Sequence, residues 1–158
     1  IVFSFYLDTI RKISKLLGNQ CTEIINGSVS PKHRQEIIDE FESAPAGSVL
    51  LSQIMAGGTG LNIQSASVVI ICEPQIKPSI ESQAISRAYR MGQSRNVLVY
   101  RLLCNDTIDE RITDILTRKT NVFNAFADQS AAVNNIEIDS TSLTNMIDEE
   151  RKRIMNLS

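Results

Sequence analysis

No tryptophan occurs in the 158 residues, and there is a single histidine and three cysteines without CxxC or Cys/His spacing. That pattern argues against a zinc site or a disulfide framework. Cys21, Cys72 and Cys104 are expected to be buried reduced thiols, two of them in strongly apolar runs. No apolar run approaches the roughly 18 residues needed to cross a bilayer, and no signal-type leader opens the chain, so a soluble, cytoplasmic protein without a membrane partner is expected. Positive charge is not in excess: 16 Lys and Arg against 18 Asp and Glu leave a net charge of −2, so nucleic acid could be engaged only through a local patch. Nucleotide-binding signatures are missing too. Neither GxxxxGK[ST] nor a strand with two adjacent acids occurs, and "GGTGLN" misses GxGxxG because Asn62 stands in place of the spaced glycine. The lysine that holds β- and γ-phosphates and the acid that holds Mg²⁺ are therefore both absent, and no metal site is expected on this chain.

What is present is an alternation. Segments rich in β-branched residues ("IVFSF", "CTEIIN", "SVLLS", "SVVIICE", "NVLVYRLL") are separated by segments of helical period at 6–18, 31–43, 79–91 and 107–125. This is the mark of a parallel sheet covered by helices, an α/β fold with one core, and "SVVIIC" is apolar enough to be buried on both faces. Ser30 before Pro31 predicts an N-cap with proline at the first helical position, with Ile37, Ile38 and Phe41 as the buried stripe. Thr107 with Glu110 predicts a capping box, followed by Ile108, Ile112, Ile115 and Leu116 on one face. "DQSAAVNNIEIDSTS" is polar and aperiodic and predicts a linker, after which Leu143, Ile147 and Ile154 predict a last amphipathic helix whose acids come early and bases late. The chain opens directly on a strand-like run, which suggests a piece of something larger.

Two stretches could carry chemistry. In "AGGTGLN" (56–62), three glycines in four positions let backbone N–H groups approach a phosphate or ribose, although a plain glycine turn between strands would look the same. In "SIESQAISRAYRMGQS" (79–94), Gln83, Arg87 and Arg90 fall within about 60° of one another on a helix. Ala84, Ala88 and Met91 are left to pack on the sheet. Forked guanidiniums suit the oxygens of a triphosphate better than lysines would, while the plain alternative is a solvated helix face.

Taken together, "AGGTGLN" and "QAISRAYRMGQ" resemble motifs V and VI of the superfamily II helicases in the form used by Swi/Snf-like ATPases. "NGSVSPKHRQEIIDEF" and "NVLVYRLLCNDTIDERI" resemble the stretches before and after those motifs in the same family. The similarity covers about residues 1–117, leaving 118–158 as a helical extension with a flexible linker. The resemblance implies the second lobe of a motor with two RecA-like lobes, a three-layer domain of the P-loop NTPase type without its own P-loop. ATP and Mg would be held mainly by the first lobe of the same polypeptide. It further implies that Arg90 is the arginine finger, Arg87 a second phosphate or interlobe contact, and Gln83 the residue that positions them. Gly58, Gly60 and Asn62 would lie near the nucleotide, while Ser4, Arg34, Ser52, Gly57 and Thr59 would face nucleic acid, in all expectation duplex DNA.

Three departures from the family pattern stand out: Ile76-Lys77-Pro78 replaces Trp-Asn-Pro, Ser86 replaces the acid before the first motif VI arginine, and Met55 replaces a basic residue. Weaker or differently arranged DNA contact than in chromatin remodellers follows as an expectation, in keeping with a bacterial, nucleoid-associated branch. The rival expectations are a docking module that never sees ATP, and a small nucleotide-dependent enzyme that uses the glycine loop itself. Among lone residues, His33 is expected to be solvated, Glu73 to orient a cleft arginine or to serve a strand end, and 151–153 ("RKR") to be a solvated helix face.

Overall fold

Branched residues form four short parallel strands: β1 (Val2–Ser4), β2 (Leu51–Gln53), β3 (Val68–Ile71) and β4 (Leu98–Arg101), in the order β2-β1-β3-β4. The computed structural model describes residues 1–56, 63–89, 96–126 and 140–155. These divide into two compact units, Ile1–Glu73 with Ile80–Leu102, and Pro74–Ser79 with Leu103–Ser158.

In the first unit, side chains alternate along each strand and so supply two cores. Phe3, Val69 and Ile71 pack on one face with Ile37, Ile38 and Phe41 of α2 (Pro31–Ser43) and with Ala84 and Ala88 of α3 (Pro78–Ala88). Val2, Leu51 and Ile70 pack on the other face with Ile10 and Ile13 of α1 (Leu7–Leu17). The alternation of segments predicts this sheet covered by helices, and the layering is the three-layer α/β arrangement that the family resemblance implies. Ser30 caps α2 as expected: its Oγ accepts the His33 N–H at 3.3 Å and Pro31 opens the helix. Gly18 ends α1 at φ 55°, a left-handed value that favours glycine, with its N–H on the Ser14 carbonyl.

The expected strand "CTEIIN" does not form as a ladder. Only two isolated parallel bridges appear, Cys21 with Val49 and Ile25 with Ser52. Four residue steps on this edge segment face three on its neighbour, so one residue is surplus. Glu23, between the two bridges, is exposed. The cysteine expectation is corrected as well: all three thiols are free, but Cys21 and Cys72 are only half-buried and Cys104 is exposed.

In the second unit, α4 (Ile108–Phe126) runs unbroken through position 117, and α5 (Ser140–Met155) packs on it. Ile112 and Met146 are buried together, with Ile108, Ile115 and Leu116 around them. The buried α5 residue is therefore Met146, whereas Ile147 is 40 % exposed. The side chains of Leu143 and Ile154, like most of the expected linker, lie outside the described residues. The capping box at Thr107 is shifted by one residue: Thr107 Oγ1 accepts the Asp109 N–H at 3.3 Å, and Glu110 accepts the N–H of Asp106 at 3.1 Å. Arg111 pairs with Glu149 at 2.9 Å and links the two helices.

Candidate functional site

In a parallel sheet, the ends of the strands where the chain leaves toward its helices are where loops gather and ligands are met. Ser4 and Ser52 stand at those ends of β1 and β2, and both are fully buried. Ser4 Oγ donates to Glu73 at 3.0 Å and accepts the Tyr6 N–H at 3.0 Å, while Ser52 Oγ donates to the Gln53 carbonyl at 3.2 Å. Their hydroxyls thus organise the strand ends from within.

Glu73, just beyond β3, accepts from both Ser4 Oγ and the Phe5 N–H. Of the two roles expected for it, serving a strand end is the one these bonds perform. Gln53 Nε2 donates to the Phe5 carbonyl at 3.0 Å, so both polar groups of the Phe5 backbone are held by side chains from neighbouring strands. The ring itself is 47 % exposed and stands edge-on to Tyr6, with centroids 5.4 Å apart. Sequence reasoning missed this pair of exposed aromatics. The signal was there in "FSFY", an aromatic doublet just past a strand in a chain without tryptophan.

Arg34, in the first turns of α2, lies half-buried against the turn that precedes the helix. Its Nη2 donates to the carbonyls of Asn26 and Gly27 at 3.3 and 3.4 Å. Asn26 Oδ1 closes that turn by accepting from Ser28 N and Oγ at 2.8 and 2.6 Å. On α3, Gln83 and Arg87 share one side, about 100° round the helix from the buried Ala84 and Ala88. Gln83 is exposed and Arg87 half-buried, and the Arg87 carbonyl accepts the Ile63 N–H at 2.9 Å. Burial holds the Arg87 guanidinium below its ordinary pKa, and the charge of Arg34 adds to the effect.

The helix α3 ends at Ala88, with the Tyr89 N–H still bonded to Ile85 O at 3.0 Å. Arg90 and Met91 lie outside the described residues, as do Gly57, Gly58, Thr59, Gly60 and Asn62. Among the residues singled out, the structure joins Ser4 to Glu73 by a hydrogen bond, with Ser52 on the neighbouring strand. Among the described residues, no group of three His, Cys, Asp or Glu side chains could hold a metal ion.

Comparison with known proteins bears on the same elements. Residues 1–92 match the helicase conserved C-terminal domain. A Mycoplasma genitalium protein described as an uncharacterized ATP-dependent helicase is 37% identical over 121 residues, 75% of this chain but only 12% of its own length. The Sulfolobus solfataricus SWI2/SNF2 ATPase core, solved in complex with dsDNA, superposes with a TM-score of 0.61 at 30% identity over 80% of this chain and 27% of that one. The C-terminal part of the Fun30 ATPase domain superposes with a TM-score of 0.70 over 96% of this chain and 47% of that one; at 24% identity, its likeness is one of fold.

Proposed function

The chain belongs to the helicase conserved C-terminal domain family in its Swi/Snf-like form, and from this premise we propose that it supplies the arginine finger and part of the DNA-contacting surface of an ATP-dependent translocase. The observation that carries the proposal is the match over residues 1–92, a span that contains the whole Gln83–Arg90 stretch. The geometry of α3 supports it, since Ala84 and Ala88 take the core positions while Gln83 is exposed and Arg87 half-buried beside it. Residues 1–117 are assigned to the lobe and 118–158 to a helical extension, with α4 crossing that boundary as one helix. No helix among the described residues is long and apolar enough to cross a membrane. The Sulfolobus core in complex with dsDNA supports duplex DNA as the partner, and the Mycoplasma relative supports a bacterial setting.

The chemistry divides between two lobes. This chain has forked cations suited to phosphate oxygens but no P-loop lysine and no strand that carries two adjacent acids, so ATP and Mg belong mainly to the first lobe. Bound ATP would supply the γ-phosphoryl group that is transferred to water. What this chain contributes is positive charge at the place where negative charge develops: Arg90 as the finger, Arg87 as a second contact, and Gln83 as the group that orients them. The backbone at Gly58, Gly60 and Asn62 is assigned to the nucleotide side. Nucleic acid is assigned to Arg34 and to the backbone at Gly57 and Thr59. Ser4 and Ser52, with hydroxyls already engaged, act there by shaping the strand ends. Contacts of this kind are mostly to phosphate and indifferent to sequence.

The test is ATP hydrolysis by the full-length protein with and without duplex DNA, comparing wild type with Arg90→Ala. The expected result is a loss of about 10³-fold or more in DNA-stimulated turnover with ATP binding retained. A variant that keeps its rate would instead make the Gln83/Arg87 face a docking surface.

A further inference from the structure

The ring of His33 stands between two carboxylates that come from different parts of the chain. Its Nδ1 lies 3.0 Å from Glu36, one turn further along α2, and its Nε2 lies 2.9 Å from Glu23 on the edge segment at 21–25. Lys32 reaches Glu36 at 3.9 Å from the same helix, while Arg34 turns to the carbonyls of Asn26 and Gly27. Because the two acids face opposite ring nitrogens, they do not converge on a point where a metal ion could bind. Each needs a proton on the nitrogen it faces, and only the charged imidazolium carries both. A neutral ring has one N–H and would turn a bare nitrogen toward an oxygen anion, so one of the two contacts is then lost. Glu36 is kept beside the ring by the helix itself, three residues on. Glu23 is ten residues away, exposed, and lies between two isolated bridges, so its contact is the one released.

The contact between Glu23 and His33 closes the chain around one feature, the turn at Asn26, Gly27 and Ser28. Asn26 Oδ1 shapes that turn, and Arg34 reaches its carbonyls only at 3.3 and 3.4 Å, the outer limit of a useful hydrogen bond. On one side the Ile25 N–H is anchored to the Leu51 carbonyl at 3.0 Å, and on the other Ser30 caps α2. The histidine ties these two sides directly to each other. We propose that His33 is a proton-operated latch between α2 and the edge segment: closed while the imidazole is charged, it fixes the Asn26–Ser28 turn and the placement of Arg34 toward nucleic acid, and it opens when the ring loses its proton. The bonds to Glu36 and then Glu23 move that opening above the ordinary histidine value of about 6.5. The latch stands on the geometry of the ring and its two acids, whereas its effect on nucleic acid rests on the lobe assignment.

The experiment has two arms, both at constant salt and across about pH 6 to 8.5, the range in which histidine changes charge. In the first, NMR follows the ring of His33, the only histidine of the chain, together with the backbone amides of Asn26, Gly27 and Ser28, in wild type, Glu23→Gln and His33→Gln. A latch predicts that the wild-type amides move with the same midpoint as the ring. Glu23→Gln should lower the midpoint of the ring and uncouple the amides from it, and in His33→Gln they should stay still. Amides that ignore the ring in wild type, or that still follow it in Glu23→Gln, overturn the latch. In the second arm, duplex DNA affinity of the full-length protein is measured over the same range. An exposed charge pair shifts an equilibrium by about two- to fivefold, so wild type should lose about that factor as pH rises, and neither variant should lose it. Glu23→Gln separates a latch from the plain attraction of one more positive charge, because its ring still titrates. A pH dependence that survives in Glu23→Gln, or that wild type lacks, overturns the role in DNA contact. Should wild type bind no DNA at any pH, the lobe assignment falls, and the first arm alone sustains or removes the latch.

Discussion

Cys72 and Cys104 differ in what surrounds their sulfur atoms, and the difference is measurable. Burial pushes the Cys72 thiol up to about 11, with the neighbouring charge of Glu73 a smaller second cause, whereas Cys104 is exposed. Since the thiolate is the nucleophile, iodoacetamide at pH 7.5 should alkylate Cys104 first and leave Cys72 largely unmodified in the native protein. Peptide mass spectrometry that finds Cys72 labelled as fast as Cys104 would contradict this. His33 makes a pH-dependent contact of the opposite kind. Its Nδ1 lies 3.0 Å from Glu36 and its Nε2 2.9 Å from Glu23, and those bonds, Glu36 first, raise its pKa. A pKa raised by folding means that the clamp contributes fully below the unfolded value of about 6.5 and is lost as pH rises through the folded value. Melting temperatures of wild type and His33→Gln should therefore differ most at about pH 6 and converge above neutrality; a gap that widens with pH would show the sign to be wrong. The sequence correctly left His33 on the surface, yet its partner Glu23 sits on the edge segment and could not be read from helical spacing.

At the scale of elements, two helices can be weakened by known amounts. Ser30→Ala removes the acceptor of the His33 N–H and should cost α2 about 1 kcal/mol in chemical denaturation. Ile38→Ala, from a position with no exposed surface in the core beneath α2, should cost about 2–5 kcal/mol. Leu16→Ala, 86 % exposed on α1, is the matched control and should change little. Equal losses from Ile38→Ala and Leu16→Ala would mean that α1 and α2 bury different faces from those described. Caps and apolar stripes of this sort were legible in the chain because they depend on residues within four positions of one another. The edge segment at 21–25 was not legible, because its register is decided by Val49 and Ser52 on the neighbouring chain segment.

The molecule as a whole carries half of a chemistry. Having cations for phosphate but no P-loop lysine and no strand that carries two adjacent acids, the isolated 158-residue chain should not turn over ATP, and hydrolysis should appear only with the first lobe present. Steady-state ATP turnover by the pure chain, abolished by Arg90→Ala, would refute this division of labour. The chain spans only 12% of the length of the Mycoplasma relative it matches.

The sequence by itself determined the alternation of strands and helices, the caps at Ser30 and Thr107, the buried stripe of α2 and the family signature around Gln83 and Arg87. Each of these is written in spacings of a few residues, where backbone geometry alone dictates which side chains share a face. Only the tertiary structure decided that Glu73 closes onto Ser4 across 69 residues of chain and that Phe5 is clamped with its ring outward. Those contacts follow from strand order, which no local period in the chain encodes.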